Sequence, residues 1–217
     1  EAATLGAATT LTSTGSGAIT FGNTLNGAQT LAVNTSGATT FTGAVGNTTA
    51  LTSLTTDVGG SVAINGGVVN TTGAQSYGEA ATLGAATTLT STGSGAITFG
   101  DTLNGAQTLV VNTSGVTTFS GAVGNTTALS SLTTDAGTAG SVAINGGAIT
   151  TTGGQSYGGA IILGADTLMA AGAGNITLNG TVNDATSGTH SLTLNSTGVT
   201  TLQAAVGNTA ALRSVTT

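Results

Sequence analysis

Apolar residues alternate with Thr, Ser or Ala in short runs along the whole chain, as in Ala18-Ile-Thr-Phe, Thr30-Leu-Ala-Val and Ser61-Val-Ala-Ile. A period of two, carried by β-branched and aromatic side chains, is the pattern of a strand with one buried face. The runs end at Gly- and Asn-rich pieces such as Leu25-Asn-Gly, Asn34-Thr-Ser-Gly, Gly46-Asn-Thr and Ile64-Asn-Gly-Gly. These supply corners at which the backbone takes positive φ. The alternation predicts that Ile19, Phe21, Leu31, Val33, Phe41, Val62 and Ile64 point inward, with Thr20, Thr30, Thr40 and Ala63 outward. Helical repeats and coiled coils are excluded, because the apolar period is two and Gly and Thr are poor helix formers.

The same pattern repeats at two scales. Of residues 1–57, only positions 23, 32, 38, 42 and 52 differ from their partners 78 residues further on. The sequence units run 1–78, 79–158 and an incomplete 159–217, together one continuous repeat array. The second unit gains two residues at Asp135-Ala-Gly-Thr-Ala-Gly, which predicts a loop there. The opening at Glu1 and the stop at Thr217 in mid-unit read as a piece of a longer array. Within a unit Leu11, Leu31 and Leu51 fall 20 apart, as do Phe21 and Phe41. A strand this short cannot bury a face alone, whereas stacked coils share one interior. The expectation is an all-β chain folded as a parallel β-solenoid of about 20 residues per coil, four coils to a unit. About eleven coils at the strand spacing of roughly 4.8 Å give a rod on the order of 50 Å long.

Composition narrows the function. The 217 residues include 37 Gly, no Pro and no Cys, and Arg213 is the one formal cation against seven carboxylates, for a net charge of −6. Missing Pro fits strands whose N–H groups all enter ladders. Nucleic-acid binding is excluded for want of a basic patch. No stretch approaches the roughly 20 apolar residues of a membrane-spanning helix. A hydrophobic fraction of 38% with only 4% charge argues against disorder.

Three runs carry a resemblance: Thr39-Thr-Phe-Thr-Gly-Ala-Val-Gly-Asn-Thr-Thr-Ala-Leu-Thr-Ser-Leu-Thr-Thr-Asp, Val62-Ala-Ile-Asn-Gly-Gly and Thr72-Gly-Ala-Gln-Ser-Tyr-Gly. They resemble the repeat regions of large bacterial exoproteins of the filamentous haemagglutinin kind, exported by two-partner secretion or as autotransporter passengers. The resemblance implies a right-handed parallel β-helix at the cell surface, serving as the stalk or filament of an adhesin in cell–cell or matrix contact. Its implied partners are other copies, neighbouring repeats of a longer chain, and host-surface or matrix glycans. The alternatives are a self-assembling fibre or sheath and, further off, an ice- or glycan-binding solenoid.

Candidate chemistry is sparse, and the expectation is no catalytic residue, no cofactor and no metal site. Asp184, His190 and Ser191 contain the residue types of a triad but sit in one Gly/Thr-rich turn, so His190 is read as a solvated loop residue. Asp57 and Asp135, 78 apart, are too distant for the paired carboxylates of a glycosidase. Calcium-binding nonapeptide solenoids need an Asp in every turn, and five Asp cannot supply that. Asp57, Asp101, Asp135 and Asp166 are read as corner residues and solubility charges. An ice-binding ladder needs Thr pairs repeated on one face, and Thr10/Thr12 is followed by Thr30/Ala32. Asn34, Asn47, Asn70, Asn112, Asn125, Asn175 and Asn195 match the glycosylation acceptor pattern. Tyr77 and Tyr157 are expected to be packing elements.

Overall fold

The computed structural model describes residues 1–135 and 140–217, and the loop expected at the two-residue insertion falls largely on 136–139, outside the described residues. The described residues form 27 strands and no helix. Every strand pairing is parallel, and the chain winds as a β-solenoid of about 10 turns with roughly 22 residues per turn. Each turn visits three faces. On the first face nine strands run in order from Thr9–Ser13 to Val182–Asp184. The second begins at Ile19–Phe21 and ends at Ser214–Thr216, continued across its middle by a bridge at Val123. The third begins at Ala3–Thr4 and ends at Thr200–Leu202, continued by a bridge at Val45.

The alternation decides which side chains fill the interior. Leu31, Val33, Phe41, Val62 and Ile64 are buried as expected. Ile19 and Phe21, in the first turns, pack against the core while partly exposed. Like residues stack on like: Phe21 lies on Phe41 with ring centroids 5.1 Å apart, and Tyr77, Phe99 and Phe119 form a second column at 5.3 and 5.6 Å. Offset stacking adds roughly 0.5–1.5 kcal/mol per pair beyond burial.

The turn is longer than the 20-residue spacing suggests, and the register follows the turn. Phe21 does pair with Phe41, but Leu31 sits over Thr9, and Leu11 pairs with Val33. Leu51 bridges to Thr71 on the third face. The difference arises because Gly46–Ala50 leaves the ladder as an excursion, exposed at Asn47, Thr48 and Thr49, between Val45 and Leu51, both of which bridge to the strand Val68–Thr71. Gly46 makes the excursion possible, with φ +68 and its α-carbon lying too close to the Asn70 carbonyl to admit a side chain.

A 78-residue unit therefore does not span a whole number of turns. Thr9–Ser13 is on the first face, its equivalent Thr87–Ser91 on the third, and the next, Thr167–Ala170, on the second. Each unit advances three full turns and two further faces. Equivalent segments consequently keep the same neighbours while looking out in three directions.

Candidate functional site

The only histidine and the only arginine stand in the third unit, where the first face turns into the second. Asp184 ends a strand of the first face and is 3% exposed. The chain then loops back over it: the N–H groups of Thr186, Thr189 and His190 donate to its carboxylate at 3.1, 2.8 and 2.8 Å. His190 Nδ1 lies 2.6 Å from Asp184 Oδ1, which places the ring proton on that nitrogen. Burial alone would raise the pKa of Asp184. The His190 backbone and ring and the Thr186 and Thr189 amides outweigh it and hold the carboxyl well below the usual carboxylate range. His190 is a loop residue, as read from the sequence, but its ring is tied to a buried carboxylate instead of being simply solvated. Five residues of loop separate the two, and only the folded turn reveals that they meet.

Ser191 does not complete a triad. Its Oγ accepts from Arg213 Nε at 3.0 Å and bonds Ser214 Oγ at 2.9 Å, and no bond joins it to the imidazole among the described residues. Arg213 also reaches Asp166, with one terminal nitrogen at 2.9 and 2.8 Å from the two carboxylate oxygens. Asp166 further accepts from the Ser191 N–H at 2.8 Å. These bonds, the Ser191 amide foremost, lower its pKa. Both partners of the ion pair are more than half exposed, so it contributes little stability. An open groove of ≈ 430 Å³ runs beside this pair, lined by Gly147, Asp166, Thr167, Leu168, Ser191 and Thr193. Neither Asp184 nor His190 lines it, so the Asp–His pair and the groove are separate features.

The other expected residues are placed as follows. Asp57 is half-buried and accepts from the Thr35 N–H at 3.1 Å, while exposed Asp101 accepts from the N–H of Thr102 at 2.6 Å. Both are corner residues. Asp135 is also at a corner, with φ 54, but it is fully buried and is not a solubility charge. Burial pushes its carboxyl up to about 6, against the opposing bond from the Thr113 amide. Glu79, which the sequence did not single out, is buried too, and burial together with the charge of Asp57 pushes it up to about 7. Tyr77 and Tyr157 are fully buried, each donating to a buried Gln two residues earlier at 2.9 Å. The Gln-Ser-Tyr spacing, which puts both side chains on the inner face of one strand, was the available signal for Gln75 and Gln155.

Of the acceptor asparagines, Asn47 and Asn125 are exposed on the excursions Gly46–Ala50 and Gly124–Ala128. Asn175 and Asn195 are exposed at strand margins, and Asn34, Asn70 and Asn112 are half-buried within strands. The outward column of the first face reads Thr10, Ala32, Thr55, Ser76, Thr98, Thr118, Ala143, Ile162, Asn183. Ala32, Ala143 and Ile162 interrupt its hydroxyls. Among the described residues no three His, Cys, Asp or Glu side chains gather as a metal cluster, and no helix is long and apolar enough to cross a membrane. No family model, characterised protein or solved structure matches the chain.

Proposed function

We propose that this chain is a segment of the stalk or filament of a secreted bacterial adhesin and that its role is mechanical. What supports the reading is the run of parallel ladders on three faces, two of them carried across their middle by single bridges at Val45 and Val123, around one apolar interior. Successive turns are joined on every side by backbone hydrogen bonds, which resist bending in any direction, and length follows repeat number. A net charge of −6 and outward Thr, Ser and Asn keep such a rod wet without a basic patch. Partners come through what the rod carries, or through glycans and copies of itself met along its faces.

Negative-stain microscopy of cells and of the purified long form tests the reading. Single rods projecting from the cell, lengthening in proportion to added repeats, are expected. Compact particles, or rods found only inside the cell, overturn it, and laterally ordered bundles point to the sheath alternative.

A further inference from the structure

Several departures of the third unit from the second meet at one corner, where the first face turns into the second. Asp166 and Leu168 stand where the second unit has Ala86 and Thr88, Thr193 where it has Val110, and Arg213 where it has Ser130. Two residues separate Gly105 from Thr108, whereas six separate their counterparts Asp184 and Ser191, so a longer loop arrives at the same place. These residues are scattered along the sequence, yet hydrogen bonds join them in the fold. Arg213 reaches Asp166 and Ser191, and the Ser191 N–H donates to Asp166. The His190 carbonyl, at the end of the loop closed on Asp184, accepts from the Arg213 N–H at 2.8 Å. In the second unit Ala86 offers no side-chain acceptor and Ser130 turns to the Ala106 carbonyl at 2.9 Å, so the equivalent corner carries no such network.

The open groove of ≈ 430 Å³ beside this network falls in the size range of small-molecule sites. It crosses three successive turns, because Leu168 pairs with Ala148 beneath it, next to Gly147, and with Thr193 above. Leu168 is 38% exposed and gives the groove an apolar wall at a position the second unit fills with Thr88. Around it the hydrogen-bonding groups are only partly spent. Ser191 Oγ accepts from Arg213 Nε and from the Ser214 hydroxyl, which leaves its own proton to donate. The Thr193 hydroxyl makes no bond among the described residues. Asp166 is 60% exposed and keeps lone pairs in reserve, and Arg213 uses Nε and Nη2 while Nη1 holds two unspent N–H groups.

Charge decides the class of ligand. The carboxylate and the guanidinium neutralise one another, so neither an anion nor a cation gains by entering. The molecule that gains is neutral, carries groups that both donate and accept, and has an apolar side to lay against Leu168. A pyranose ring has all three properties: each hydroxyl is donor and acceptor, and the ring C–H groups form an apolar face. We propose that the corner of Asp166, Leu168, Ser191, Thr193 and Arg213 binds a neutral hexose unit of a glycan. Asp166 accepts from the sugar hydroxyls, Ser191 and Arg213 donate to them, Thr193 does either, and Leu168 covers the C–H face. This deepens the stalk reading, on which it rests for the source of the glycan, and it confines the contact to the third unit instead of spreading it along the rod.

Amide chemical shifts of the isotope-labelled 217-residue chain, titrated with the methyl glycosides of glucose, galactose and mannose, test the proposal. Saturable shifts centred on Gly147, Leu168, Ser191 and Thr193 are expected with at least one of them, at the millimolar concentrations a ligand of that size requires. Sodium sulfate and trialanine should produce no saturable shift there. The second unit supplies substitutions that the fold already accommodates: Asp166→Ala and Arg213→Ser copy Ala86 and Ser130, and Leu168→Thr copies Thr88. The first two are expected to weaken binding at least tenfold, and the third to weaken it less, with the Tm of all three nearly unchanged. Asn26→Ala, at a corner of the first unit, should leave binding intact. Absence of saturable shifts with all three glycosides, equal affinity in the native and Asp166→Ala chains, or the same shifts on adding trialanine or sulfate each overturns the proposal. Rods seen by microscopy alongside any of these results leave the stalk reading standing, whereas hexose binding by compact particles overturns the stalk and keeps the groove.

Discussion

Gln75 occupies a position where a polar side chain is normally a liability. Its Nε2 donates to Val69 O, Thr71 Oγ1 and Thr90 O at 3.2, 3.2 and 3.0 Å, and its Oε1 accepts from Tyr77 Oη. Both ends of the amide are satisfied, and Gln155 repeats the arrangement with Ile149, Thr151, Ala170 and Tyr157. Tyr77→Phe leaves Gln75 Oε1 buried and unpaired, so a loss of about 1–3 kcal/mol in urea unfolding is expected. An unchanged midpoint would mean the pair contributes nothing. Asp184 and Asp135 give pH dependences of opposite sign. The folded pKa of Asp184 is lowered, so its contribution is present above the unfolded carboxylate pKa and is lost as acid takes the pH down toward the folded value. Asp184→Asn should therefore destabilise at pH 7 and much less at pH 2. The folded pKa of Asp135 is raised from 3.8 to about 6, so stability falls as pH rises between those values. Asp135→Asn should raise the Tm at pH 8 and leave it nearly unchanged at pH 3.5, and a Tm lowered at both would show the carboxylate is needed for packing.

At the scale of the element, the recurring device is an asparagine of one turn that fastens the excursion of the next. Asn26 Oδ1 accepts from the amides of Thr48 and Thr49 at 3.0 and 3.2 Å, and Asn104 does the same for Thr126 and Thr127. Asn183 repeats it on Thr209 and Ala210. Asn26→Ala frees two amides near solvent, so the expected cost is only about 1 kcal/mol. Hydrogen exchange should quicken at Thr48 and Thr49 while the amides of Val68–Thr71 stay protected. Global quickening would make the excursion part of the cooperative core. The strands were legible from sequence because alternation is local: Val62, Ala63 and Ile64 declare their sides without reference to any neighbour. The fastenings were not legible, because the Asn of Leu25-Asn-Gly reads as a corner residue until the following turn is laid over it.

At the scale of the whole molecule, each unit advances three and two-thirds turns, so a feature present once per unit spirals across the faces. The excursions led by Gly46, Gly124 and Gly207 consequently project from the third, second and first faces in turn. Among the described residues the outward column of the first face carries hydroxyls at Thr55, Ser76, Thr98 and Thr118 but is broken by Ala32, Ala143 and Ile162. Removing residues 79–158 should shorten the particle by about 18 Å, given a strand spacing of roughly 4.8 Å. Small-angle scattering measures this as a reduced maximum dimension at constant cross-section, and a thicker, shorter particle would contradict it.

The sequence by itself determined the parallel solenoid, the inward and outward sides of its strands and the duplication of its units, because a period of two and a 78-residue identity are written in the order of residues. Tertiary structure decided the length of the turn and the phase of the unit. Successive strands on the first face start 19 to 25 residues apart, and only closure of each coil on the one beneath selects how much corner is extruded. It also decided which carboxylates are buried. Glu79 and Asp135 look like ordinary corner charges in the chain, yet stacking closes over both, because the interior of a coil is sealed by its neighbours above and below.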